Sequence, residues 1–272
     1  MFKNKTVFIT GGARGIGKAI GLKLAAQGAN IVITGKSTEP HPKLEGTIFT
    51  SAQEMRDAGG DGLGIGMDVR DENQVKSALE KAAAHFGGID IVINNASAIN
   101  LSDVQHLDMK RFDLMHQVNV RGTYMTSKFA IPFLKESDNP HILNLSPPLN
   151  FEPKWFGPHL GYSIAKYGMS LCVLGLAEEL KPLGIGVNAL WPKTVIATAA
   201  VRNLLGGEEV VKRSRKPQIV ADAAFEILSK PSKETSGKYF IDEEVLKAAG
   251  VSDFSKYYEV PGNELLPDFF IC

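Results

Sequence analysis

The sequence predicts one doubly wound α/β domain, a seven-stranded parallel sheet with helices on both faces. Three observations carry this. Short β-branched runs alternate with longer segments of helical period, the pattern of a sheet whose crossovers are helices. The 272 residues suit a single domain of that class. The first strand-like run leads at once into Thr10-Gly11-Gly12-Ala13-Arg14-Gly15-Ile16-Gly17, a glycine-rich turn that opens a helix.

The strands read as Lys5 to Thr10, Ala29 to Gly35, Gly62 to Asp68, Ile89 to Asn94, His141 to Leu145, Gly184 to Leu190 and Gly237 to Ile241. Helical periodicity falls near Gly15 to Gln27, Ser51 to Ala58, Glu72 to Phe86, Met109 to Leu134, Gly161 to Lys181 and Ile219 to Leu228. Neither a repeat nor a linker divides the chain, so residues 1–272 read as one domain with a core over 5–241 and a C-terminal extension over 242–272. Three longer irregular pieces, Lys36 to Thr47, Pro147 to His159 and Pro192 to Lys216, leave the carboxyl ends of strands, where open parallel sheets bind ligands.

Taken in order, the elements place candidate chemistry. After the first strand, Gly11, Gly12, Ala13, Arg14, Gly15, Ile16 and Gly17 form a turn whose backbone approaches a pyrophosphate closely, with the helix N-terminus offering free N–H groups. The second strand ends in Gly35-Lys36, without the carboxylate that accepts from the 2′-hydroxyl of NAD. Lys36 and Arg14 instead suit the 2′-phosphate of NADP. Asp68, at the end of the third strand, reads either as a holder of the adenine amino group or as a helix cap. Asn94 and Asn95 end the fourth strand; such amides need partners when buried, and they are expected to lock the sheet's edge beside the cofactor.

Asn119 lies inside the long helix, where its amide competes with the backbone. Ser146 closes the fifth strand and is followed by Pro147. Tyr162 and Lys166 are four apart, so on a helix they share a face, about 5–6 Å apart at Cβ. A carbonyl that receives hydride needs a proton, and an alcohol that loses hydride gives one up. A phenol titrates near pH ~10, and a neighbouring ammonium favours the phenolate.

Composition narrows the partners. Thirty basic and thirty acidic side chains cancel, leaving no overall field for nucleic acid or an anionic membrane. Two cysteines, Cys172 and Cys272, make no disulfide framework and fit a reducing compartment. Met1 to Thr10 lacks signal-peptide zones, and no apolar run of about eighteen residues stands out, so a cytoplasmic protein without a membrane span is expected. The six histidines show no metal-ligand spacing, and no metal is expected.

Thr10-Gly11-x-x-x-Gly15-x-Gly17, Asn94-Asn95-Ala96, Asn119 and Tyr162-x-x-x-Lys166 stand in the order and approximate spacing of the short-chain dehydrogenase/reductase family, which the chain resembles from residue 5 to about 241. The resemblance implies a Rossmann-type oxidoreductase acting on a small carbonyl or secondary alcohol with NADP(H). It implies contacts from Gly11 to Gly17, Lys36, Asp68 and Lys166, with Tyr162 as acid and base. It further implies that Asn119 kinks its helix and holds a water that joins Lys166 to solvent, and that the subunits form a dimer or tetramer. Two positions depart from the family pattern. Pro147 stands where a second serine is usual, so Ser146 either takes that role or caps a strand. Lys193 follows Pro192 where glycine is common and is a candidate for holding an anionic substrate. A second reading, a nucleotide-binding regulator or scaffold with weakened chemistry, is motivated by Pro147. The basic run 212–216 reads as a solvated loop or, second, as a mobile substrate lid, and the aromatics Phe254, Tyr257, Tyr258, Phe269 and Phe270 fold either over a neighbour or over the pocket.

Overall fold

A computed structural model describes residues 1–41 and 44–271; Pro42 of the loop after the second strand, and Cys272, lie outside them. In chain order the strands and helices are β1 Thr6–Thr10, α1 Gly15–Ala25, β2 Asn30–Gly35, α2 Ile48–Asp57, β3 Asp61–Gly66, α3 Glu72–Phe86, β4 Ile91–Asn94, α4 Met109–Met115, α5 Gly122–Leu134, β5 His141–Asn144, α6 Leu160–Glu179, β6 Gly186–Trp191, α7 Ala199–Leu204, α8 Gly207–Lys212, α9 Gln218–Leu228, β7 Tyr239–Ile241 and α10 Asp242–Ala248.

All seven strands are parallel, in the order β3-β2-β1-β4-β5-β6-β7. The order reverses between β1 and β4, the switch point where such sheets open a crevice. Alternation along the strands splits the core. Val7, Ile9, Ile31 and Ile33 pack against α1, α9 and α10, while Phe8, Val32, Val92, Ile142 and Val187 pack against α3, α5 and α6. Every one of these strand side chains is buried, as expected of strands covered on both faces.

Local chemistry sets the helix ends. Asp71 caps α3 by accepting from the amides of Asn73 (2.9 Å) and Gln74 (3.0 Å). Gly87, at φ 85°, ends the helix in the left-handed region. Thr47 and Thr50 form a capping box that starts α2 at Ile48, three residues before the sequence expectation. The long helix expected from Met109 to Leu134 is interrupted by a π-helical segment, His116–Arg121, which contains Asn119. The third strand ends at Gly66, so Asp68 lies beyond it, and the sixth runs on to Trp191. The piece from Pro192 to Lys216 contains the short helices α7 and α8. Helix α6 is long and apolar enough to cross a membrane by length and composition, yet more than half of it is buried within the domain.

His141 sits fully buried in β5, where its Nε2 donates to the Lys230 carbonyl at 3.0 Å. Burial pushes its pKa down to about 4. Because the folded value lies below the unfolded ~6.5, the stabilisation is present above pH ~6.5 and is lost as pH falls toward 4, up to about 3 kcal/mol. Urea unfolding of His141→Gln should therefore show a shallower loss of stability between pH 6.5 and 4 than the parent. Equal slopes in the two proteins would refute the assignment.

Candidate active site

The glycine turn is shaped by what surrounds it. Gly11 has φ +68°, and a Cβ there would stand 3.0 Å from the Ala96 Cα. A Cβ on Gly17 would come within 2.5 Å of Asn95 Nδ2. That amide donates to the carbonyls of Thr10 (3.0 Å) and Gly11 (2.9 Å), while the Thr10 hydroxyl accepts from the backbone N–H groups of Asn95 and Ala96. Asn95 thus holds the turn in place from β4. Gly12 packs tightly on Ile9 and Ile33, Ala13 accepts from the Ser51 hydroxyl, and Ile16 packs on the core. Helix α1 has neither a side-chain cap nor an acidic residue in its first turn. Its N-terminal donors and positive end suit a phosphate. Gly17→Ala should displace Asn95 and weaken nucleotide binding by roughly tenfold or more, as a distorted close-contact site implies. Unchanged affinity by titration would contradict this role.

At the end of β2, Gly35 is bracketed by cations rather than an acid. Arg14 donates to the Ser37 hydroxyl (3.1 Å) and the Gly46 carbonyl (2.9 Å), which fixes its guanidinium across the loop. Lys36 is 68% exposed, its Nζ 3.6 Å from Asp68. Asp68 already has partners within the protein. Its carboxylate is gripped by Arg70 through Nε (2.9 Å) and Nη2 (2.6 Å), and this hydrogen bonding holds its pKa down at about 2. Asp71, not Asp68, caps the helix.

β4 is the central strand, and Asn94 at its carboxyl end ties it to its neighbours. It donates to the Ser127 hydroxyl (3.0 Å) and to Asn144 Oδ1 (2.9 Å). The π turn supplies the break in the helix at Asn119. That residue's side chain spans the Ala98 backbone, its Oδ1 accepting from the Ala98 N–H at 2.8 Å and its Nδ2 donating to the Ala98 carbonyl at 3.0 Å. The side chain therefore clamps the loop after β4.

Helix α6 brings Tyr162 and Lys166 to the carboxyl ends of β5 and β6, 6% and 3% exposed respectively. Lys166 Nζ donates to the Leu145 carbonyl at 2.7 Å and lies 5.0 Å from the Trp191 ring centre. Burial brings its pKa down to about 7, against a smaller upward pull from Asp268. The expectation that the ammonium would draw Tyr162 toward phenolate is reversed. Burial, and then the charge of Asp268, push the phenol above its usual value. Ser146 is fully buried and its Oγ has no hydrogen-bond partner among the described residues, so it does not cap the strand.

The residues 266–270 were the least legible part of the site. Val195 N–H donates to the Leu266 carbonyl and Asp268 N–H to the Lys193 carbonyl, both at 3.0 Å, laying this segment beside β6's exit. It brings Asp268, Phe269 and Phe270 over Tyr162, choosing the pocket for two of the aromatics, while Tyr257 instead packs in the α9 core and donates to Asp222. Lys193 is ion-paired to Glu243 at 2.8 Å, which removes it as a free anion holder. The basic run is not simply solvated, because Ser214 is buried and Arg215 forms a buried pair with Glu243 at 2.7 Å.

Residues 5–208 match the family model for short chain dehydrogenases. The chain is 58% identical over 98% of its length to hydroxysteroid dehydrogenase-like protein 2 of Danio rerio, and spans 63% of that relative. A solved protein of Xanthomonas campestris superposes at TM-score 0.97 with 48% identity, covering 100% of this chain and 99% of that one. A short chain dehydrogenase of Mycobacterium thermoresistibile superposes at 0.94 with 54% identity, covering 100% and 96%.

Proposed function

The chain belongs to the short-chain dehydrogenase family, an oxidoreductase family, and on that premise we propose that it reduces apolar carbonyl compounds with NADPH, Tyr162 donating the proton. The observation that carries this reading is the buried Tyr162, kept protonated beside Lys166, with the unpartnered Ser146 hydroxyl on the adjoining strand end.

The dinucleotide would lie along the glycine turn that Asn95 holds against β4, with its pyrophosphate at the uncapped α1 N-terminus and Arg14 and Lys36 facing a 2′-phosphate. When bound it would supply the hydride. Ser146 Oγ donates to the substrate carbonyl oxygen and polarises it. Tyr162 Oη gives its proton to that oxygen as negative charge develops there, and a phenol with a raised pKa is suited to act as acid rather than base. Lys166 stabilises the phenolate left behind and orients the ribose hydroxyls. The aromatic surroundings, Trp155, Trp191, Phe269 and Phe270, favour a substrate with an apolar body, whether ring-shaped or acyl.

Removing both cations, as Arg14→Ala with Lys36→Ala, should weaken NADPH binding about ten- to a hundredfold, the worth of one or two charge-assisted contacts, with little change for NADH. Equal losses for both nucleotides would overturn the NADP assignment. The exposed Tyr124 of α5 and Ile164, Leu171 and Leu174 of α6 support pairing of these helices between subunits. Sedimentation as a dimer or tetramer is the expected result, and a monomer alone would exclude it.

A further inference from the structure

Phe270 is 1% exposed and stands inside a ring of four aromatic side chains. Its centroid lies 5.2 Å from Tyr167, 5.9 Å from Trp155, 5.9 Å from Trp191 and 6.3 Å from Tyr162. Such packing would normally mark a core residue. Three observations set it apart. Phe270 has φ +69°, a left-handed conformation that costs a bulky residue and is characteristic of functional segments. The backbone bonds that fasten the segment reach only to its near end, where Asp268 N–H meets Lys193 and the Phe269 carbonyl accepts from Trp191 Nε1 at 2.9 Å. Among the described residues no backbone hydrogen bond holds Phe270 itself. Finally, the surroundings retain unspent polar groups, because Trp155 Nε1, His159 Nε2 and Ser146 Oγ are buried without hydrogen-bond partners among the described residues. Each is a group that a bound molecule could satisfy.

Geometry also restricts Tyr162. Phe270 stacks on it at 30° and Phe269 meets it edge-on at 69°. A carbonyl oxygen can approach the Tyr162 hydroxyl from this side only when that cover withdraws.

We propose that the box formed by Trp155, Tyr162, Tyr167 and Trp191 is the pocket for the apolar ring of a cyclic ketone, and that Phe270 is its internal occupant, displaced when such a substrate binds. This rests on the reading of Tyr162 as the proton donor and names the substrate class for that site. Phe270 then acts as a filter. A ring ketone regains the aromatic contacts that Phe270 gives up and offers an acceptor to the leftover donors, whereas a small ketone offers the acceptor without the contacts. The hinge is the backbone of Phe270 itself, just past the Phe269 carbonyl that Trp191 Nε1 anchors.

The chain contains two tryptophans, and both line the box, so tryptophan emission reports its occupancy without nucleotide or turnover. The probe is 2-decalone, a saturated bicyclic ketone, with acetone as the small polar control. Phe270→Gly removes the ring and accepts the φ of this position. Decalone should shift the emission of both proteins and bind the glycine variant about tenfold more tightly, since an internal competitor reduces apparent affinity by the fraction of open sites. Acetone should shift neither. Phe270→Leu, which keeps apolar filling, guards against a folding defect and should fall between the two. Equal decalone affinity across parent, leucine and glycine proteins, or decalone binding that leaves the emission unchanged, would overturn the proposal. Because binding is read directly, a box that takes decalone in a protein without turnover would refute the role of Tyr162 alone.

Discussion

Tyr162→Phe should lose turnover by about a hundred- to ten-thousandfold, the range supplied by a positioned proton donor, while nucleotide affinity and the unfolding midpoint stay near those of the parent. The substitution deletes one oxygen and leaves the ring against His159, Phe269 and Phe270. The aromatic packing is therefore retained, and the deficit reads as chemistry. Steady-state rates together with a nucleotide titration make the comparison. Undiminished turnover would remove Tyr162 from the mechanism.

Lys166→Met should produce a loss of similar size but through a different signature. The ammonium is buried at 3% exposure, which is why its pKa is brought down to about 7, and methionine replaces it with an apolar chain of similar length. A lysine whose folded pKa lies below the unfolded value destabilises the fold at neutral pH, and the deficit shrinks as pH rises from about 7 toward ~10.4. The methionine variant should thus melt higher than the parent at pH 7 while reducing carbonyls far more slowly. In the parent, reduction should decline as pH rises through about 7 and Lys166 gives up its proton. Asp268 raises the Lys166 pKa, so Asp268→Asn should move that decline to lower pH. A decline that stayed in place would dissociate Asp268 from Lys166.

Much of the scaffold was legible because its signals are local. Each of the seven strands coincides with an apolar or β-branched run, and errors fell at their ends, as with Asp68 and Trp191. The glycine turn and the Tyr162–Lys166 pair were readable because backbone approach and helical period fix them over a few residues. The partners of those residues were not readable. Ala98 occupies Asn119, Arg70 occupies Asp68 and Glu243 occupies Lys193, pairings made by tertiary contact and without a mark in spacing. The greatest omission was Asp268-Phe269-Phe270, about a hundred residues from Tyr162 in sequence and brought to it by a few backbone bonds with 193–195. The cluster of aromatics after the last strand pointed either to a neighbour or to the pocket without choosing between them, and gave no sign of Asp268. Burial, followed by the charge of Asp268, also reversed the expected electrostatics by pushing the Tyr162 phenol up.

The most direct test mixes the full chain with NADPH and 2-decalone and follows the reduced-nicotinamide absorbance together with decalol formation. The expected result is saturable consumption with one alcohol formed for each NADPH oxidised, lost in Tyr162→Phe. Tight NADPH binding with no consumption across decalone and other apolar cyclic and acyl ketones would contradict the assignment and leave a nucleotide-binding scaffold of the same fold.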